Sequence, residues 1–211
     1  MAQNLAKQAH LPDLITPAET ALIVIDMQND FCAPGGYIDT VMKRDVSAAK
    51  AIVPALNNLI SAARKHGVPV VWVGSDYRPE KIPYSMQRKL TLRNITQVCC
   101  EPGSWGAEWY EVKPLPGEAV VIKHTYNGFT GTNLQSVLQE KGIKNLILTG
   151  VQTQVCVEST LREAHALGYV AVVPDDAVGS HTPDLHAATL KNVQFLFGEV
   201  ASSSEIVAAW G

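Results

Sequence analysis

A three-layer α/β/α fold, doubly wound around a mostly parallel, six-stranded sheet, is what this sequence predicts, and three observations predict it. Short apolar runs alternate with amphipathic stretches along most of the chain, the pattern of βαβ units. The runs are apolar throughout, as in strands covered on both faces. Gly67, Gly142 and Gly168 each close a helical stretch just before a run, where the left-handed residue that ends a helix is easiest for glycine.

In chain order, residues 1–19 read as a terminal arm, because Pro12 and Pro17 interrupt any helix. The first strand is expected at 21–25, followed by a helix at 47–66 and a strand at 68–73. Further strands are expected at 119–122, 146–149 and 170–173, which locates five of the six expected strands, with helices at 132–142, 156–167 and 184–195. Between them, 80–116 carries Pro83, Pro102, Pro114 and Pro116 together with Trp105 and Trp109, and reads as a long excursion over the sheet edge. No repeat or linker divides the rest. At 211 residues and 46% hydrophobic composition, residues 20–211 read as one Rossmann-like domain with one substantial core.

The formal net charge is −3, with acidic and basic residues interspersed. No basic stripe or polybasic cluster offers itself to nucleic acid or to a membrane surface, so the expected partner is a small molecule. The polar first twenty residues show no signal-peptide pattern, no apolar run reaches transmembrane length, and the four cysteines follow no disulfide spacing. A reducing, cytoplasmic setting is expected. Cys99 and Cys100 are adjacent with no second pair at ligand spacing, so they and Cys32 read as structural. No metal is expected, and without a glycine-rich phosphate fingerprint no nucleotide cofactor either.

In open α/β sheets the reactive crevice lies beyond the carboxyl ends of the strands. Asp26 closes the run ALIVID, Lys123 closes AVVIK, and Cys156 lies just past LILTG. Each alone has a plain alternative: strand-end aspartates cap turns, strand-end lysines are solvated, and lone cysteines are usually core. Together they supply a proton carrier, a cation and a nucleophile, which converge if their strands are neighbours. A thiol where a strand turns into a helix also lies near unpaired N–H groups and the positive helix end. Both favour thiolate, so Cys156 is expected to be activated at rest.

Three segments carry a resemblance. DMQNDF (26–31), KHTYNGF (123–129) and GVQTQVCVESTLREA (150–164) resemble, in order, the signature segments of the isochorismatase-like cysteine hydrolases. The resemblance implies a triad with Cys156 as nucleophile, Asp26 as proton carrier and Lys123 as electrostatic support. It also implies a cis peptide at Val151-Gln152 and an oxyanion hole made by the backbone N–H groups of Gln152 and Cys156. Such a site cleaves the C–N bond of a small carbamoyl, ureido or carboxamide compound through a thioester. Dimers and tetramers are common in the family, so a homo-oligomer is expected, with the excursion around Trp105 and Trp109 as an interface.

Nicotinamide-hydrolysing members carry a metal-binding Asp-x-His after the second strand. Asp76-Tyr77-Arg78 stands here without the imidazole, so no catalytic zinc is expected, and Arg78 is available to clamp a carboxylate or carbonyl. PGGYIDT (34–40), PGSWGAE (102–108) and YNGF (126–129) look most similar to the ureidoacrylate amidohydrolase and biuret hydrolase branch. The expected substrate contacts are Gln28, Phe31, Arg78, Trp105, Tyr126 and Phe129, the aromatic ones because flat apolar faces suit planar amides.

Competing readings are an isochorismatase-type vinyl ether hydrolase, which need not use the cysteine, and a noncatalytic scaffold of the same fold. The three strand-end residues weigh against both. Cys156 and Arg162 also meet the C-x5-R spacing of cysteine phosphatases, but the loop lacks glycines to cradle phosphate. His124 follows Lys123 and, by strand alternation, turns away from it. His181 and His186 share no helical face and are given no role.

Overall fold

A computed structural model of the protein describes residues 10–211; residues 1–9 of the expected arm lie outside the described residues. The strands are β1 (Thr20–Ile25), β2 (Val70–Ser75), β3 (Ala119–Lys123), β4 (Asn145–Val151), β5 (Val170–Pro174), β6 (Val178–Gly179) and β7 (Glu199–Ala201). They form one sheet in the order β3-β2-β1-β4-β5-β7, with β6 beside β4, and every strand pair is parallel. The chain winds outward from β1 through β2 to β3, then crosses back to β4 and winds the other way. The junction of β1 and β4 is therefore the topological switch point, where such sheets leave a crevice at their carboxyl ends.

Strand alternation divides the apolar residues into two cores. Leu22 and Val24 of β1 pack with Leu56, Leu59 and Ile60 on one face. Ala21, Ile23 and Ile25 pack with Leu134, Leu138 and Leu161 on the other. The helix Val53–Lys65 turns Leu56, Leu59, Ile60 and Ala63 inward at i, i+3, i+4 and i+7. Each large aliphatic side chain removed from water there contributes about 1.5–3 kcal/mol.

The expected class holds, with differences in detail. The sheet has seven strands rather than six: β6 has two residues and β7 three half-buried ones, too short to stand out as apolar runs. β3 is not covered on both faces. It is the sheet edge, and its Val120 and Ile122 are 45% and 44% exposed. The excursion contains a helix, Tyr84–Leu92, that starts just after Pro83, a boundary position where the fixed φ of proline is no obstacle. The stretch at 156–167 opens earlier than expected, with a π-helical turn, Thr153–Val157, leading into the helix Glu158–Ala166. The described part of the arm has a short helix, Leu11–Leu14. It is pinned by Ile15, which is fully buried and accepts a hydrogen bond from Trp210 Nε1 at 2.8 Å. No helix among the described residues is long and apolar enough to cross a membrane.

Candidate active site

Asp26 follows β1 in the left-handed conformation (φ 53°), and its N–H bonds to the Val73 carbonyl at 2.8 Å. One strand over, Ile25 is in register with Gly150. Gly150 has φ 103°, and a Cβ there would collide with the Ile25 carbonyl, so the approach of β1 and β4 at the site depends on glycine. On the other side Ser75 is in register with Lys123. Lys123 thus starts two strands away from β1, and its long side chain reaches across β2 to Asp26. The Val151-Gln152 peptide is cis, and the π-helical turn that follows delivers Cys156.

These residues meet in a buried network. Lys123 Nζ donates to Ser75 Oγ and Tyr77 OH, both at 2.8 Å, and to Cys156 Sγ at 3.5 Å. Those bonds commit its three N–H donors. The 2.9 Å contact with Asp26 Oδ2 is therefore ionic, and that oxygen has no hydrogen-bond donor of its own. Ser75 Oγ donates to Asp26 Oδ1 at 2.8 Å, linking ammonium to carboxylate. Tyr77 OH lies 3.9 Å from Cys156 Sγ.

Burial first, and then the Asp26 charge, push the Cys156 thiol up to about 12, against the opposing pull of Lys123 and the Tyr77 hydroxyl. The expected resting thiolate is thereby corrected. Desolvation and a neighbouring carboxylate outweigh the helix end, and the sulfur carries its proton at neutral pH. Burial alone would lower Lys123, but Asp26 and then Cys156 raise it above its ordinary value, so the ammonium stays charged. Burial likewise raises Tyr77 and keeps its hydroxyl protonated.

Cys156 opens into a cavity of about 460 Å³. Of the expected substrate contacts, Phe31 and Tyr126 line it, as does Gln152 of the expected oxyanion pair. Gln28, Arg78, Trp105 and Phe129 do not. The Gln28 amide is spent on backbone: Nε2 donates to the carbonyls of Ala107 (3.0 Å) and Ser75 (3.3 Å), and Oε1 accepts from Ser75 N–H (2.7 Å). Arg78 forks onto its neighbour Asp76, with Nε to Oδ1 at 2.9 Å and Nη2 to Oδ2 at 2.7 Å. That pairing holds the Asp76 carboxyl below its usual range. Trp105 is half exposed, and its carbonyl accepts from Asn29 Nδ2. Phe129 stacks on Tyr169, ring centroids 5.9 Å apart. Arg162 pairs with Glu158 and covers the Phe197 ring, far from any phosphatase role.

Sequence reasoning passed over Ser75 and Tyr77. Carrying the second apolar run two residues further, to its true strand end at Ser75, would have found the serine, with Tyr77 two residues beyond it. It also gave no role to His181, which lines the cavity with Cys156, whereas His186 bonds Thr153 Oγ1 at 2.9 Å. His124 turns from Lys123 as expected, its Nδ1 2.8 Å from the Asp76 carbonyl. Asp30, Cys99 and Cys100 bring one potential metal-ligand atom each within 4.8 Å of one another. Both Asp30 oxygens, however, accept backbone N–H groups, from Cys100 (2.6 Å) and Tyr37 (3.1 Å), and so hold the excursion to the strand-end loop.

Residues 20–205 match the isochorismatase domain. The chain is similar to the ureidoacrylate amidohydrolase RutB of Pseudomonas savastanoi pv. phaseolicola (strain 1448A / Race 6), 36% identical over 205 residues that cover 90% of this chain and 83% of that protein. RutB of Agrobacterium fabrum (strain C58 / ATCC 33970) is 35% identical over 208 residues, 92% of this chain and 91% of the relative. Among solved structures, a cysteine hydrolase from Pseudomonas syringae pv. phaseolicola 1448A superposes with TM-score 0.82 at 25% identity, covering 93% of this chain and 94% of that one. N-carbamoylsarcosine amidase from Thermoplasma acidophilum superposes with TM-score 0.73 at 28% identity, covering 89% and 98%. On a domain match spanning most of its length, and on relatives of this identity and coverage, the chain belongs to the isochorismatase family of hydrolases.

Proposed function

We propose that this hydrolase is a cysteine-dependent amidohydrolase that cleaves a C–N bond of a small ureido or carboxamide compound through a thioester, with ureidoacrylate-type ureides as the first candidates. The observation that carries the reading is the position of the Lys123 ammonium, against Asp26, Ser75, Tyr77 and Cys156 at the end of a cavity sized for a small molecule. The relatives named for ureidoacrylate hydrolysis support the substrate class.

In this reading the thiol proton passes to Asp26 Oδ2 as sulfur bonds to the substrate carbonyl carbon, while the Lys123 charge stabilises the sulfur. The carbonyl oxygen becomes an oxyanion held by backbone N–H groups of Gln152 and Cys156. Consistent with that role, the Gln152 carbonyl accepts from Val155 and Val157 at 3.0 and 3.3 Å, passing over Cys156 between them. Asp26 then returns the proton to the departing nitrogen, the C–N bond breaks, and ammonia or an amine leaves a thioester. Water, deprotonated by Asp26, attacks that thioester and releases the acid. The proton on Asp26 goes back to sulfur.

The test is ammonia release from ureidoacrylate, biuret, N-carbamoyl amino acids, nicotinamide and maleamate, with Cys156→Ala alongside. Release from ureides that vanishes in the variant is expected. Silence across the whole panel would replace this reading with vinyl ether hydrolysis.

A further inference from the structure

Part of the cavity wall comes from the excursion. Met86, Lys89, Leu90 and Arg93 all line it, at i, i+3, i+4 and i+7, the spacing of one helical face. The two apolar residues fit any buried wall. Lys89 and Arg93 line the cavity while remaining exposed, so they stand at its rim, where a charged group of a bound molecule can meet them without either cation being desolvated.

The charges around the cavity are unbalanced. Its lining contains these two cations and neither aspartate nor glutamate. Among the described residues, neither Lys89 nor Arg93 enters an ion pair. Arg93 acts on the same side as Tyr126, whose hydroxyl it helps to hold down against the stronger raising effect of burial. Tyr126 in turn stands edge-on to Tyr77, ring centroids 6.4 Å apart, and Tyr77 reaches the Lys123 ammonium.

At the Cys156 end two buried polar atoms also lack partners. Gln154 Oε1 and His181 Nδ1 are inaccessible to solvent and make no hydrogen bond, and both residues line the cavity. An unpaired buried acceptor costs stability unless a ligand supplies the missing donor, and a ureide supplies several N–H donors on a flat frame.

Taken together, and resting on the amidohydrolase reading, the geometry points to a substrate that carries a carboxylate at the end remote from the scissile C–N bond: Lys89 and Arg93 bind the carboxylate, and Gln154 accepts an N–H of the ureide. Selectivity for an anionic over a neutral ureide thus resides in the excursion helix, apart from the residues that break the bond. A planar guanidinium suits a carboxylate best, so Arg93 is the stronger of the two contacts.

The experiment compares 3-ureidoacrylate with its methyl ester, which keeps the ureide and removes only the charge. Ammonia release is measured for the wild type, Lys89→Ala, Arg93→Ala, Arg93→Lys and Gln154→Leu. We expect kcat/KM for the acid to exceed that for the ester by about tenfold or more in the wild type, as a charge-assisted pair would give. In either alanine variant most of that ratio should collapse, through KM rather than kcat, and Arg93→Lys should retain part of it. Gln154→Leu should weaken acid and ester alike, since the ureide is common to both. Equal kcat/KM for acid and ester in the wild type, or equal losses for both in Lys89→Ala and Arg93→Ala, overturns the carboxylate assignment and leaves the amidohydrolase intact. Ammonia from neither compound sinks the amidohydrolase reading instead. The carboxylate site is then decided by calorimetric titration of Cys156→Ala with both compounds, where failure to bind the acid more tightly rejects it.

Discussion

Replacing Asp26 by asparagine should push two properties of Cys156 in opposite directions. Asp26 is the second-largest cause, after burial, of a thiol raised from 9 to about 12. Such a rise makes the thiolate fraction near neutral pH about a thousandfold smaller. Asp26→Asn keeps the side-chain shape, removes the negative charge and leaves Lys123 to act on the sulfur unopposed. We therefore expect the rate of Cys156 alkylation by iodoacetamide at pH 8 to rise by about tenfold or more. Turnover should fall by about a hundredfold or more, because the proton carrier is gone. Cys32, Cys99 and Cys100 are also buried, so alkylation is read on the Cys156 peptide by mass spectrometry, with Cys156→Ala as the blank. The unpaired ammonium costs about 3–5 kcal/mol, so folding is checked first by near-ultraviolet circular dichroism. Alkylation that falls together with turnover would refute the reasoning, since it would mean that the thiol proton already resides on Asp26 at rest.

Stability should decline on both flanks of neutrality. The pKa values of Cys32, Cys100, Cys156, Tyr77 and Lys123 are all raised in the fold. Their contribution is whole below the unfolded values of about 9 to 10.5 and is lost as pH rises through the folded ones. Asp76 and Glu118 are lowered, chiefly by Arg78 for Asp76 and by Arg64 against burial for Glu118. Their contribution is present above about pH 4 and is lost below it. Scanning calorimetry should show a Tm plateau from about pH 5 to 8 that drops on either side, and a Tm that kept rising above pH 9 would contradict the burial of these groups. Gly150→Ala, strained at φ 103° and in collision with Ile25, should cost about 3 kcal/mol or more in urea denaturation and impair turnover with it. Ser75→Ala removes an acceptor from Lys123 and a donor from Asp26 Oδ1. A loss of about 1.5–3 kcal/mol is expected, with no change in the urea m-value.

Much of this was legible in the chain because two different physical rules act at the same positions. Continuous apolar runs give strands buried on both faces, and the carboxyl ends of those strands give the crevice. Asp26 and Lys123 could be placed by counting to the end of each run, and Cys156 by the strand-to-helix turn that follows one. The same rule missed Ser75, because Trp72 to Ser75 mixes a glycine and a serine into a strand whose register continues to Lys123. It misjudged β3, because an edge strand and a central one have the same apolar composition, and only the strand order tells them apart. Substrate contacts were harder still. Gln28 and Arg78 carry suitable functional groups, but whether an amide or a guanidinium faces a ligand or a neighbouring backbone is settled by distances of a few ångströms that periodicity does not encode. The helix Tyr84–Leu92, with Lys89, was hidden by the prolines around it.

The resting charges explain why this arrangement tolerates complete burial. Asp26 and Lys123 are an ion pair with no solvent exposure to speak of, which is costly unless each charge finds its partner at short range. Adding a thiolate would leave the buried cluster with one uncompensated negative charge, and the protein avoids this by holding sulfur as a neutral thiol. Under the proposed chemistry, moving the proton from Cys156 to Asp26 exchanges one anion for another beside the same ammonium, so no net charge is created as attack begins. Sulfur then loses its charge to the substrate as the bond forms, and the only new anion is the carbonyl oxygen. In the proposed mechanism the donors to that oxygen are the backbone N–H groups of Gln152 and Cys156, which belong to the turn after β4 and lie outside the Lys123 network. A variant that disturbs this turn while leaving Asp26, Lys123 and Cys156 in place should therefore lose turnover without changing the alkylation rate of Cys156. Gln152→Pro is such a change, because it removes the Gln152 N–H while the φ of −86° at that position, just before the turn that carries Cys156, is one proline can adopt.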